Sequence, residues 1–118
     1  MRVHHVALRT RDLARLERFY VDVLGFAVRT RQADRSVWLA AEDAIVMLEK
    51  AGDAEPRIPE GSMEFLAFTI ETEAKSELLE RFHEAGVVIE HATDFTIYVR
   101  DPDGRRVGVS DFPMPDTT

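Results

Sequence analysis

The sequence contains no cysteine, which excludes a disulfide framework, a thiolate nucleophile and any Cys-ligated zinc or iron-sulfur centre. That absence leaves the redox compartment open and tilts the expectation toward the cytosol. A basic excess is also missing: 15 Lys and Arg stand against 22 Asp and Glu, a formal net charge of -7. Neutralising phosphates needs clustered Lys and Arg, so no nucleic-acid partner is expected. No stretch approaches the roughly 18 consecutive apolar residues of a membrane span. The opening segment Met1-Arg2-Val3-His4-His5 lacks the apolar run of a signal peptide, and the expectation is a cytoplasmic protein with no membrane partner. A Ser-His-Asp order, a phosphate-cradling glycine loop and a dinucleotide fingerprint are absent as well, since Gly25, Gly86 and Gly104 each fall at a cap or turn. Nucleophilic and nucleotide chemistry find no support.

What is present is an ordinary globular composition, with 45% apolar and 31% charged residues in 118, enough to bury one core. Val3 to Arg9 alternates and reads as a half-buried strand. Asp12 follows as the N-cap of a helix whose apolar face is Leu13, Leu16, Phe19, Tyr20, Val23 and Leu24, and Gly25 stops it. Three segments rich in β-branched and aromatic residues come next: Phe26 to Arg31, Ser36 to Ala40 and Ala44 to Lys50. Residues 51–62 carry Gly52, Pro56, Pro59 and Gly61 without periodicity, as a linker does. Phe65 to Glu71 then alternates, and Thr72 caps a second helix on Leu78, Leu79, Phe82 and Ala85, closed by Gly86. Val87 to Glu90, Phe95 to Arg100 and Arg105 to Asp111 read as strands, the last two joined by the turn Asp101-Pro102-Asp103-Gly104.

The second half repeats the first. Val6-Ala7-Leu8 matches Leu66-Ala67-Phe68, Leu24-Gly25 matches Ala85-Gly86, and Val37-Trp38-Leu39 matches Ile97-Tyr98-Val99, at an offset near sixty residues. A fixed-period repeat signals modules of one design. The expected fold class is therefore α+β, one domain over residues 1–118 made of two βαβββ modules, 1–50 and 63–113, with a linker at 51–62 and a tail at 114–118.

His5-Val6-Ala7-Leu8-Arg9-Thr10, Asp12-Leu13, Phe19-Tyr20-Val21-Asp22-Val23-Leu24-Gly25-Phe26 and, near the close, Arg100-Asp101-Pro102-Asp103-Gly104 resemble the vicinal oxygen chelate superfamily of glyoxalases, bleomycin-resistance proteins and extradiol dioxygenases. The resemblance covers almost the whole chain. It implies a cupped, barrel-like mixed sheet around a pocket for a small organic molecule, and a homodimer. It also implies a divalent metal held from the first and last strand of each module. Mapped onto this sequence, those four positions are His5, Met47, Phe65 and Gly108.

Only His5 suits a hard or borderline divalent ion, because Phe and Gly offer no donor and a thioether prefers soft metals. No metal cofactor is therefore expected unless the site is rearranged around His5 and Glu49, which are also the candidate catalytic acid and base. Glu64, one residue from Phe65, is expected to point the other way, and His4 and His5, as neighbours on a strand, are expected to face opposite sides and share no ion.

Period-two counting puts His5, Ala7 and Arg9 on one face, with Ile45, Met47 and Glu49, Phe65, Ala67 and Thr69, and Arg106, Gly108 and Ser110 as the corresponding sets on other strands. The candidate ligand-binding residues are His5, Arg9, Trp38, Met47, Glu49, Phe65, Tyr98, Arg106 and Gly108. Arg9 suits a ligand carboxylate or, equally, a salt bridge to a neighbouring acid. Trp38 and Tyr98 suit ligand stacking or plain packing. Three functions follow: a metal-independent small-molecule binder, a lyase, isomerase or dioxygenase built on His5, and a regulatory module with a vestigial pocket.

Overall fold

Alternating β-branched and aromatic residues build a four-stranded mixed sheet in each half of the chain in the computed structural model, which describes residues 1–115. Part of the expected tail, residues 116–118, lies outside the described residues. The chain divides into two units, Met1–Arg57 and a second that starts at Ile58.

The first unit runs β1 (His5–Thr10), α1 (Leu13–Arg18), β2 (Ala27–Gln32), β3 (Ser36–Ala41) and β4 (Ala44–Lys50). Its sheet order is β1-β4-β3-β2, with β1 parallel to β4 and the other pairs antiparallel. One face carries Leu8, Val37, Leu39, Val46 and Leu48, all buried along with Leu16, Phe19, Tyr20 and Val23, and α1 contacts β3 and β4. Each such side chain contributes about 1.5–3 kcal/mol by leaving water.

Asp12 caps α1 as its position in the sequence implies, its carboxylate accepting the Arg15 N–H at 3.1 Å. The helix does not continue regularly to Leu24, however. It widens at Phe19–Val23 into a π turn, which lets the adjacent rings of Phe19 and Tyr20 both turn inward, the latter fully buried. Gly25, at φ 89°, then ends the segment in the left-handed conformation.

The second unit runs β5 (Phe65–Thr69), a single 3-10 turn (Thr72–Ala74), α2 (Lys75–Glu84), β6 (His91–Ala92), β7 (Thr96–Arg100) and β8 (Arg106–Ser110). Its sheet order, β5-β8-β7-β6, repeats that of the first, with β5 parallel to β8. The α+β reading as two βαβββ modules therefore holds, each with an open four-stranded sheet.

Two local expectations are corrected. Thr72 does not cap α2: its hydroxyl donates to Asp111 Oδ2 at 2.9 Å, and that carboxylate, which also accepts from Lys75 Nζ at 2.9 Å, is the stronger acceptor. Val87 to Glu90 is not a strand. Val87 N–H closes the helix on Phe82 O at 2.8 Å, pairing begins only with Glu90 N–H to Tyr98 O at 2.8 Å, and Val88 is left 79% exposed. The turn before β8 is fixed by buried Asp101, whose carboxylate accepts the N–H groups of Asp103 and Arg105 and pairs with the Arg105 guanidinium at 2.6 Å. Among the described residues no helix is long and apolar enough to cross a membrane.

Candidate functional site

Strand register assigns the faces. In the first sheet His5 lies opposite Ile45, Ala7 opposite Met47 and Arg9 opposite Glu49, while Trp38 pairs with Met47 and with Thr30. His5, Arg9, Trp38, Met47 and Glu49 thus share the face turned away from α1: period-two counting groups His5 with Arg9 and Met47 with Glu49, and the register joins the two sets and adds Trp38.

Sharing a face does not bring His5 and Glu49 together. Four residues separate them along the ladder, about 13 Å at 3.3 Å per residue. Glu49 instead bonds Arg9, which also makes a forked contact to Glu55 at 3.0 and 2.7 Å. Glu55 and then Glu49 hold the Arg9 guanidinium above its ordinary pKa, and Arg9 in turn pulls the Glu55 carboxyl below its own.

The two histidines behave differently from the alternation argument. The ladder begins at His5, so His4 sits outside it, and the two Nδ1 atoms approach to 2.9 Å, one donating and the other accepting. The rings meet edge to face.

Near the start of β1 the same face holds an open cavity of about 630 Å³, within the range that takes small ligands. Trp38, Thr30 and Ile45 line it from the sheet, Arg29 from β2, and Arg2 and His4 from the segment before β1. The indole is held in place: its Nε1–H donates to Ser36 Oγ at 3.2 Å, and that buried hydroxyl donates to Gln32 Oε1 at 3.0 Å. Of the candidate ligand-binding residues Trp38 alone lines this cavity, together with Ile45, which lies opposite His5 in the ladder. Arg2 and Arg29 carried no motif that would have marked them, and His4 was expected to face away from His5.

In the second sheet Phe65 pairs with Arg106, and Gly108 lies between Ala67 and Tyr98. Phe65, Tyr98, Arg106 and Gly108 are therefore brought together and contact one another, with Phe65 left exposed. The Arg106 guanidinium, on a residue only 8% exposed, lies 4.1 Å from the centre of the Tyr98 ring and 5.7 Å from that of Phe65. Its Nε–H donates to Glu90 Oε1 at 3.1 Å. Glu90 also accepts two bonds from Arg100, and Arg100 first, then Arg106, holds its carboxyl below the usual range. Tyr98 meets Phe65 edge to face and stacks on His91, a neighbour that no sequence pattern announced.

Gly108 sits beneath this cluster. A Cβ there would stand 3.3 Å from Tyr98 Cε1 and 3.4 Å from Thr96 Cγ2, closer than side chains ordinarily pack. The fit of a divalent ion to the mapped positions is therefore poor in two ways: Met47, Phe65 and Gly108 supply no hard donor, and Tyr98 covers the backbone of the last. Among the described residues no group of three or more His, Cys, Asp or Glu is disposed to hold a metal.

A model of the Glyoxalase/Bleomycin resistance protein/Dioxygenase superfamily matches residues 2–109. The chain belongs to this superfamily. A virulence protein of Salmonella typhimurium is 28% identical over 125 aligned positions, spanning 94% of this chain and 84% of the relative. A glyoxalase/dioxygenase from Nostoc punctiforme superposes with a TM-score of 0.80 at 22% identity, over 96% of this chain and 92% of that one. A fosfomycin resistance protein from Mesorhizobium loti does so at 0.74 and 19%, over 95% and 92%. At such identities these structures share the fold with the present superfamily member and fix nothing about its chemistry.

Proposed function

We propose that this superfamily member is a small-molecule-binding protein of the glyoxalase/bleomycin-resistance type that works without the usual divalent metal centre. One observation carries the reading: of the four mapped metal positions, His5 alone has a suitable donor, while Gly108 lies beneath the Tyr98 ring, which packs against Phe65 and Arg106. Catalytic metal sites ordinarily need about three protein ligands. The binding element is the cavity beside Trp38, whose size and mixture of an indole face with a few polar groups suit an organic ligand. A cytoplasmic homodimer completes the proposal, supported by superfamily membership and the cysteine-free composition.

A thermal-shift screen of small organic compounds with EDTA present tests it. A ligand at a hundred times its Kd stabilises the native state by about 2.7 kcal/mol, so we expect hits that raise Tm by several degrees and persist in the chelator. Stabilisation seen only after a divalent metal is added, and lost in His5→Ala, would overturn the reading.

A further inference from the structure

We propose that the cavity beside Trp38 selects ligands that carry an acid group on a flat apolar body, the acid held by Arg2 and Arg29 and the body laid against the indole; this rests on the small-molecule reading above and deepens it.

The first support is a backbone irregularity. The β2–β3 ladder pairs Val28 with Leu39 and Thr30 with Trp38, skipping Arg29. In an unbroken strand Arg29 and Thr30 would face opposite sides. With the extra residue both line the same cavity, which is the use to which a bulge is suited: re-aiming a side chain. Arg2 reaches the cavity independently, from the segment that leads into β1.

The second support is the state of those guanidinium groups. Among the described residues neither Arg2 nor Arg29 forms an ion pair, although the chain has 22 acidic residues and Arg9, Arg31, Arg100, Arg105 and Arg106 all have one. Asp43 lines the same cavity and lies within ion-pair distance of neither. Two planar donor forks are thus left open beside an apolar wall, a fit to a carboxylate or phosphate oxygen pair. The overall charge of -7 does not oppose this at contact range, because exposed charges more than about 8 Å away are largely screened at physiological salt.

The third support is Trp38. With Nε1 committed to Ser36 and the hydroxyl of Ser36 committed to Gln32, the ring presents a fixed apolar surface to the cavity and loses little freedom when a flat ligand meets it. Recognition is then divided between an oriented indole and two cations.

Trp38 is the sole tryptophan, so its emission reports occupancy directly. The probes are 4-nitrobenzoate, 4-nitrophenyl phosphate and the neutral 4-nitrobenzamide, titrated against the intact protein, Arg2→Gln and Arg29→Gln, with circular dichroism to show that each variant is folded. We expect saturable quenching by at least one of the two acids, about tenfold weaker binding of the amide, and a loss of about tenfold in acid affinity in each variant with the amide unaffected. The tighter of the two acids identifies the head group as carboxylate or phosphate. Equal binding of acid and amide, or acid affinity unchanged in both variants, would overturn the anion inference and leave the small-molecule reading standing. Absence of saturable quenching by all three probes in the folded protein would count against both.

Discussion

Gly108 is the residue on which the proposed loss of metal chemistry bears most directly. The family resemblance maps it to the fourth metal position, and the lack of a donor there was legible from the sequence. The reason for glycine was not legible, because it lies in the cross-strand neighbours Tyr98 and Thr96, whose atoms stand 3.3 and 3.4 Å from where a Cβ would be. Introducing a carboxylate by Gly108→Glu would drive the new side chain into the Tyr98 ring that supports Arg106. We expect a loss of roughly 1–3 kcal/mol, as overpacking costs, read from the midpoint of urea unfolding. The loss should shrink when Tyr98→Ala is combined with it, since the two residues share one space. An unchanged midpoint in the single variant would mean that the ring moves aside freely.

Among the elements, β1 both opens the sheet and clamps the segment that follows β4. Arg9 holds Glu55 by a forked contact, and Arg11 donates to the carbonyls of Asp53 and Glu55. Because Arg9 lowers the Glu55 pKa, the clamp's contribution is fully present above the ordinary glutamate value and is lost as pH falls through the depressed one. In a carboxyl-observed NMR titration, Glu55 should titrate below the ordinary glutamate value in the parent protein and move back toward it in Arg9→Ala. A midpoint that the substitution leaves in place would show that the contact does not persist in solution. The elements themselves were mostly readable: Asp12 caps α1, Gly25 ends the segment, and period-two counting assigned the sheet faces correctly. What escaped were features set by tertiary competition. The π turn at Phe19–Val23, the bulge at Arg29, the capture of Thr72 by Asp111 and the approach of His4 to His5 all depend on neighbours distant in sequence or on where a ladder begins.

At the scale of the whole molecule, the repeat was legible because equivalent residues recur at a nearly constant offset, and the two sheets share one strand order. The corresponding sheet faces are not equivalent. The first unit has an open cavity beside Trp38, while the matching residue in the second, Tyr98, is packed among Phe65, His91 and Arg106. Superfamily resemblance pointed to the metal positions and the internal repeat to Trp38, but neither pointed to Arg2 or Arg29, which lie outside the motifs that carry the resemblance.

The most direct test of the proposal that this superfamily member works without a metal is elemental analysis of untagged protein, dialysed against zinc, manganese, iron or nickel and then freed of excess ion. We expect far less than one metal per chain for each ion and no change in Tm on adding EDTA. One metal per chain, bound tightly enough to survive dialysis and abolished by His5→Ala, would contradict that conclusion.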